Sequence, residues 1–156
     1  MNCKLVYSES YSDICAVHDA LYTYNLTRTG GERQAVCAKR CEHPGAWLVY
    51  DSEECLCGGV VWHYDTEQQD FFIDYLYVDG KLRGSGAGGQ LLAAVEQTAR
   101  ERGIKTVRVT TNTFQAPEFY RKMGYEEVAV TPAPQPLVPE NMHYTFVKKL
   151  ISEDEN

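Results

Sequence analysis

The stretch Val78-Asp79-Gly80-Lys81-Leu82-Arg83-Gly84-Ser85-Gly86-Ala87-Gly88-Gly89-Gln90-Leu91-Leu92 decides how this chain is read. An apolar run, Asp70 to Val78, leads into it, and Leu91, Leu92, Val95 and Ala99 recur behind it at helical spacing. The segment therefore reads as strand, glycine loop, helix. Glycines without side chains let successive N–H groups converge on a ligand, and the first helical turn adds unpaired donors and the positive end of its dipole. Such a turn suits a phosphate. A merely flexible turn has no use for so many glycines directly before a helix.

Spacing separates the loops that share this logic. A P-loop needs Gly, four residues, then Gly-Lys-Ser/Thr, and no lysine follows these glycines. Gly84, Gly86 and Gly89 do fit the dinucleotide pattern G-x-G-x-x-G. That pattern wants an acidic residue about 20 positions on, at the end of the next strand, to take the ribose hydroxyls. Here the next strand, Lys105 to Thr110, runs into Thr111 and Asn112, with no acid available.

Read from one residue earlier, the loop is Arg83-x-x-Gly86-x-Gly88. This resembles the acyl-CoA loop of the GNAT superfamily of N-acetyltransferases, Gln/Arg-x-x-Gly-x-Gly/Ala between a strand and a helix. The resemblance continues in Asn112-Thr113-Phe114-Gln115-Ala116-Pro117-Glu118-Phe119-Tyr120-Arg121-Lys122-Met123-Gly124-Tyr125, which is similar to the family's second motif and to small bacterial members in particular. With the preceding strand, the two motifs span Asp70 to Val130.

That resemblance implies an α/β fold with a mixed, mostly antiparallel sheet of about six or seven strands flanked by about four helices. It also implies a V-shaped split between strands 70–78 and 105–110, in which acetyl-CoA lies, with a strand bulge there that frees backbone amides. On that pattern Leu76, Tyr77 and Val78 give backbone contacts to the acetyl and pantetheine portion. Arg83, Gly84, Ser85, Gly86, Ala87, Gly88 and Gly89 cradle the pyrophosphate, and Asn112 holds the pantetheine arm. The implied activity is acetyl transfer to a primary amine of a small molecule by direct attack in a ternary complex, with no metal. A protein lysine or N-terminal acceptor is the enzymatic rival, and a non-catalytic acyl-CoA-binding domain the other. Relatives often dimerise, so a homodimer stays open.

Acetyl transfer needs a neutral amine, a stabilised oxyanion and a proton for the departing thiolate. The family's proton donor falls on Tyr120, whose other reading is a packed aromatic with its hydroxyl satisfied. Asn112 has the plainer reading of a turn former. Some members place a glutamate base on the strand before the loop; here that position is Phe72. Asp74, two residues on and on the same side of the strand, is the substitute, or else a substrate-orienting carboxylate. Glu96 and His63 rank below it, and a water relay to backbone groups also serves. His143 is read either as pocket-lining or as an ordinary surface histidine.

With 156 residues, 44% hydrophobic and 24% charged, the chain reads as one globular domain over residues 1–150 with an acidic tail at 151–156. The N-terminus has no long apolar stretch, which makes a cytoplasmic protein the expectation. A formal charge of −7 argues against nucleic-acid or anionic-membrane partners and favours a cationic acceptor. Lys81, Arg83, Arg121 and Lys122 supply local cations near the motifs. The six cysteines read as reduced thiols. Cys37, Cys41, Cys55, Cys57 and His43 lack the spacing of the usual zinc ribbons, and Cys3 and Cys15 have no partner pattern.

The remaining elements read as a strand Cys3 to Tyr7, a helix Ser12 to Asn25 capped by Ser12, and a hairpin of Ala46–Tyr50 with Cys55–His63 around Asp51 to Glu54. Gly58-Gly59 marks a bulge or a close backbone approach. Glu32 to Cys41 fits a helix or a strand equally. A short helix starts near Pro117 and stops at Gly124, with Ala116, Phe119, Tyr120 and Met123 as its inner stripe. Strand Tyr125 to Thr131, a loop with Pro132, Pro134, Pro136 and Pro139, and strand His143 to Leu150 complete the chain.

Overall fold

A computed structural model describes residues 3–29, 40–113 and 117–150. Strand β1 (Lys4–Ser8) leads into helix α1 (Tyr11–Thr29), followed by β2 (Pro44–Tyr50), β3 (Leu56–Asp65) and β4 (Asp70–Val78). A 3₁₀ turn at Gly80–Leu82 precedes helix α2 (Ala87–Glu101); then come β5 (Thr106–Asn112), α3 (Pro117–Lys122), β6 (Glu126–Pro132) and β7 (Met142–Lys149). The expected mixed sheet is present, with seven strands in the order β1-β2-β3-β4-β5-β7-β6. Every neighbouring pair is antiparallel except β4 with β5. Three α-helices lie among the described residues. The ambiguous segment Glu32 to Cys41 lies mostly outside them, as do the acidic tail and Ala116. None of the described helices is long and apolar enough to cross a membrane.

Local chemistry sets most boundaries. Helix α1 is capped by Ser10 rather than Ser12: the Asp13 amide donates to Ser10 Oγ (3.4 Å) and the Ile14 amide to the Ser10 carbonyl (3.1 Å). The apolar periodicity starts only at Ile14, which hid that first turn. The β2–β3 hairpin closes because the Asp51 carboxylate accepts from the Glu53 and Cys55 amides, at 2.8 and 2.9 Å.

The two faces of the sheet carry different helices. Leu91, Leu92, Val95 and Ala99 of α2 pack with Val60, Trp62, Phe71, Val107 and Phe146. Ile14 and Val17 of α1 pack with Ala46, Leu48 and Val61. Val60 and Val61 are sequence neighbours in different clusters, as strand alternation requires when both faces are covered. Gly59 lets α1 sit close: a Cβ there would lie 2.6 Å from Val17 Cγ2. A Cβ at Gly58 would lie 3.0 Å from the Tyr77 carbonyl oxygen, and the β2–β3 register shifts beside it between Val49–Gly58 and Tyr50–Leu56, so Gly58-Gly59 meets both a close backbone approach and a neighbouring bulge.

Strand β4 changes character along its length. Asp70, Phe71 and Ile73 are buried, whereas Asp74 to Val78 are only partly so, because they lose their neighbour on one side. Parallel pairing with β5 covers only Phe71–Val107, Phe72–Arg108 and Ile73–Val109. Beyond Ile73 the strands part. The closed end of this fork is fixed by Arg108, whose Nε donates to Asp70 at 2.9 Å and whose second nitrogen donates to Asp65 at 2.9 Å. Both carboxylates hold the guanidinium firmly protonated, against the opposing effect of burial.

Asp70 is 4% exposed, so removing its partner strands a buried carboxylate. Arg108→Leu is expected to lower the unfolding free energy by about 2–3 kcal/mol in chemical denaturation at neutral pH. A change below about 0.5 kcal/mol would show that the ion pair does not hold the fork.

Candidate active site

A cavity of about 720 Å³ occupies the fork. It is bordered by α1 through His18, Tyr22 and Tyr24, by β4 from Ile73 to Val78, and by the glycine turn. Val109 to Asn112 of β5 and Phe119, Tyr120 and Met123 of α3 close the other side. Because α1 and α2 cover opposite faces, a cavity touching both passes through the sheet where β4 and β5 separate. Of the residues singled out in sequence, Asp74, Leu76, Tyr77, Val78, Arg83, Gly84, Gly86, Ala87, Gly88, Gly89, Asn112 and Tyr120 border this space. Ser85 does not; its hydroxyl and amide turn back onto the Leu82 carbonyl.

The glycine turn is built for backbone donors. Gly84 and Gly86 adopt φ of 82° and 86°, and Gly86 occupies the N-cap of α2 with no side-chain cap. The Gln90 amide is the first to reach back, to the Gly86 carbonyl at 3.0 Å. The amides of Ala87, Gly88 and Gly89 thus lie in a first turn with no intrahelical acceptor. Gly88 serves packing as well, since a Cβ would meet the Phe119 ring at 3.0 Å. The Arg83 guanidinium lies 4.4 Å from the Tyr24 ring centroid and ties the turn to α1. Arg121, expected beside the motifs as a free cation, is instead bonded to Glu118 and Glu127.

Asp74 sits at the point of divergence. The β3–β4 register runs Val61–Tyr75 and then Trp62–Ile73, so Asp74 is the extra residue of a bulge. One carboxylate oxygen is 2.7 Å from His63 Nδ1, and the two side chains are 15% and 19% exposed. Cys41 lies beside them, with its Sγ and their donor atoms all within 4.8 Å. A tetrahedral zinc would hold nitrogen and oxygen ligands about 3.3 Å apart. The 2.7 Å His63–Asp74 contact is that of a shared proton. Phe72 cannot replace Asp74: it packs on the His63 ring at 5.7 Å and under Arg108.

Tyr120 is buried among Phe119, Tyr125 and Phe146, with ring centroids 5.2 to 5.9 Å away. Burial drives its hydroxyl far above the usual phenol range, so it stays protonated at any working pH. Glu96 is drawn out of contention as a base. It is buried on α2, accepting from Lys148 Nζ at 3.0 Å and Tyr125 Oη at 3.1 Å, and does not border the cavity. His143 pairs with Asn112 across the β5–β7 ladder without reaching the cavity wall.

The fork thus offers main-chain donors for an anion at one end, a hydrogen-bonded carboxylate at the strand bulge, and a protonated phenol on the wall of the same cavity. The family model described as Acetyltransferase (GNAT) family matches residues 11–125, the span from α1 through α3 that builds these walls. The chain belongs to the GNAT acetyltransferase family.

Blasticidin-S acetyltransferase of Streptomyces morookaense is 39% identical over 108 residues, covering 65% of this chain and 76% of that protein. The ribosomal-protein-S18-alanine N-acetyltransferase of Escherichia coli shares the GNAT fold with a TM-score of 0.70 at 12% identity, covering 98% of each chain. A Bacillus anthracis protein described as a streptothricin acetyltransferase, solved with acetyl coenzyme A, superposes with a TM-score of 0.59 at 18% identity. That match covers 71% of this chain and 65% of the other.

Sequence reasoning missed Asn141 in this GNAT chain. It is 1% exposed; its Nδ2 donates to Asn112 Oδ1 (3.1 Å) and the Ala133 carbonyl (2.7 Å), and its Oδ1 accepts from the Thr113 amide (3.0 Å). An asparagine in a proline-rich loop looks like a turn residue, and nothing local reveals these partners. Asn141→Ala removes three hydrogen bonds made by a buried side chain and is expected to cost about 1–3 kcal/mol in thermal or chemical unfolding. An unchanged melting curve would remove Asn141 as the support of Asn112.

Proposed function

We propose that this protein moves acetyl from acetyl-CoA to a primary amine of a small molecule by direct attack within a ternary complex. One observation carries the reading: a single cavity crosses the sheet, with the glycine turn, Asp74 and Tyr120 all on its wall. The N-terminal amides of α2 receive the pyrophosphate, with Arg83 beside them. Ladder pairing of β4 with β5 ends at Ile73, and the Asp79 amide turns to the Cys57 carbonyl of β3, so by alternation the N–H groups of Leu76 and Val78 face the gap. Amides of Leu76 and Val78 bind the pantetheine arm and the thioester oxygen, whose negative charge grows as the amine attacks, while the Tyr77 amide faces β3. Asn112, held by Asn141, adds a side-chain contact.

The acceptor enters from the α1 side. His18 stacks on Tyr22 and meets Tyr75 edge-on, at centroid distances of 5.8 and 5.2 Å, so the wall is aromatic with Asp74 as its carboxylate. Such walls suit a cationic amine. The volume falls within the range of about 300–1,000 Å³ typical of small-molecule sites. The named activity of the Streptomyces relative, on an antibiotic, supports the same acceptor class.

Asp74 takes the proton that the attacking nitrogen sheds, and Tyr120 gives its own to the departing thiolate. A buried phenol is a reluctant acid, but the same burial raises the basicity of the thiolate, so one buried anion replaces another at small cost.

Thiol release from acetyl-CoA is the direct test, with blasticidin S, streptothricin, tyramine and spermidine as acceptors. Release with none of them, alongside intact acetyl-CoA binding, would favour a protein acceptor or a binding domain. Tyr120→Phe is expected to lower kcat about 100-fold while leaving the calorimetric Kd for acetyl-CoA unchanged. Equal turnover in that variant would leave Tyr120 as packing alone. Gly86→Val forces a β-branched residue to a positive φ and is expected to weaken acetyl-CoA at least about tenfold. Undiminished binding would move the cofactor away from this turn.

A further inference from the structure

We infer that Lys148 is a positioning residue for Tyr120: its ammonium ties the end of α3 to β7 and, through Glu96 and Tyr125, fixes the ring that carries the donor hydroxyl. The inference rests on the reading of Tyr120 as the proton donor and adds a group that does not itself border the cavity.

The need for such a tie follows from the length of α3. A helix of six residues, Pro117–Lys122, is too short to hold its shape alone, and its last carbonyls lack intrahelical partners. The Tyr120 side chain is held by ring contacts with Phe119, Tyr125 and Phe146, so the aim of its hydroxyl follows the ring, and the ring follows α3. A shift of α3 against the sheet would carry the hydroxyl with it.

Lys148 holds the far end of that helix. Its Nζ donates to the Met123 carbonyl at 2.8 Å, just past the last residue of α3, and to Glu96 Oε1 at 3.0 Å. The other Glu96 oxygen accepts from the Tyr125 hydroxyl at 3.1 Å. Tyr125 in turn donates its amide to the Tyr120 carbonyl at 3.0 Å and meets the Tyr120 ring edge-on. One ammonium thus reaches Tyr120 twice, along the backbone of α3 and through Glu96 and Tyr125. Its own base is firm: on β7 it pairs with Val107, the same β5 residue that pairs with Phe71 at the closed end of the fork. Helix α3 therefore takes its place from the part of the sheet that does not open. The Glu96 side chain is 7% exposed, so a buried charge draws the ammonium inward.

Methionine at 148 keeps the length of the stem and removes the donor. It also strands the Glu96 carboxylate, so the experiment is run in two forms of the chain, wild type and Glu96→Gln, in which the buried charge is absent. In each, kcat is measured with and without Lys148→Met, and again with Tyr120→Phe added, using the acceptor from the panel above that gives most thiol release. Calorimetric binding of acetyl-CoA is the control for folding, and the Glu96→Gln form decides where the two differ. A residue acting only through Tyr120 loses its effect once the hydroxyl is gone, whereas a general loosening of the fold lowers turnover in either case. The expected result is a fall in kcat of about 10-fold or more for Lys148→Met when Tyr120 is present and of less than about twofold in the Tyr120→Phe chain. The Kd for acetyl-CoA is expected to stay within about threefold of the parent chain. Equal falls with and without the hydroxyl would overturn the role of Lys148 and leave Tyr120 standing as the acid. Undiminished turnover in Lys148→Met, or loss of acetyl-CoA binding in both forms, would also overturn it. If Tyr120→Phe alone turns over normally, the acid reading fails, and this inference with it. Absence of release with every acceptor in the panel removes the small-molecule reading and this inference together.

Discussion

Three parallel ladder pairs, Phe71–Val107 to Ile73–Val109, hold β4 to β5, and the rest of the molecule depends on their stopping there. A continuous sheet would place a wall between α1 and α2, with no common space. Separation after Ile73 exposes one edge of β4 and one edge of β5 within the interior, where unsatisfied main-chain groups are costly. A ligand rich in amide and carbonyl groups is the natural occupant of such a gap. The closed end has to resist the opening strain, and it does so with side chains: Arg108 bonds Asp70 and Asp65, while Phe71, Ile73, Val107 and Val109 are buried beneath α2.

Divergence follows from the bulge at Asp74. An extra residue on β4 raises its local twist and carries it along with β3 and away from β5. The direction of the following glycine turn is then constrained, because Val78 must deliver the chain to the start of α2. The 3₁₀ turn at Gly80–Leu82, the positive φ at Gly84 and Gly86, and the close approach of Gly88 to Phe119 all serve to place the N-terminus of α2 over the open end of the gap. The anion recognition proposed there is a consequence of geometry before it is a matter of charge, so an acidic chain is compatible with it.

The sequence was most informative where function is written in local spacing. The strand, glycine turn and helix around Arg83 to Gly89 need particular backbone conformations, and only glycine meets them cheaply, so the pattern is visible without tertiary knowledge. The Phe119-Tyr120 pair was legible for a similar reason, through its place in a short helix bounded by Pro117 and Gly124. Charged residues were the least legible. Arg121 looked available for phosphate and is committed to Glu127 across a turn; Glu96 looked like a base and is committed to Lys148, distant in sequence. The residue at which β4 bulges was not legible for the same reason, since register belongs to two strands together and neither strand alone announces it.

Register also bears on the role proposed for Asp74 in place of an acid at position 72. In a regular strand the two positions share a side, and Phe72 would be the nearer to the closed end. Bulging after Ile73 takes Asp74 out of the ladder and into the fork, while Phe72 remains in pairing with Arg108 and is covered by the His63 ring. A glutamate at 72 would compete with Asp70 and Asp65 for Arg108, drawing the cation away from the pair that closes the fork. Phenylalanine there is compatible with the guanidinium above it and with the imidazole hydrogen-bonded to Asp74. The apolar residue at 72 and the carboxylate at 74 are thus one arrangement: the first insulates the structural ion pair from the second.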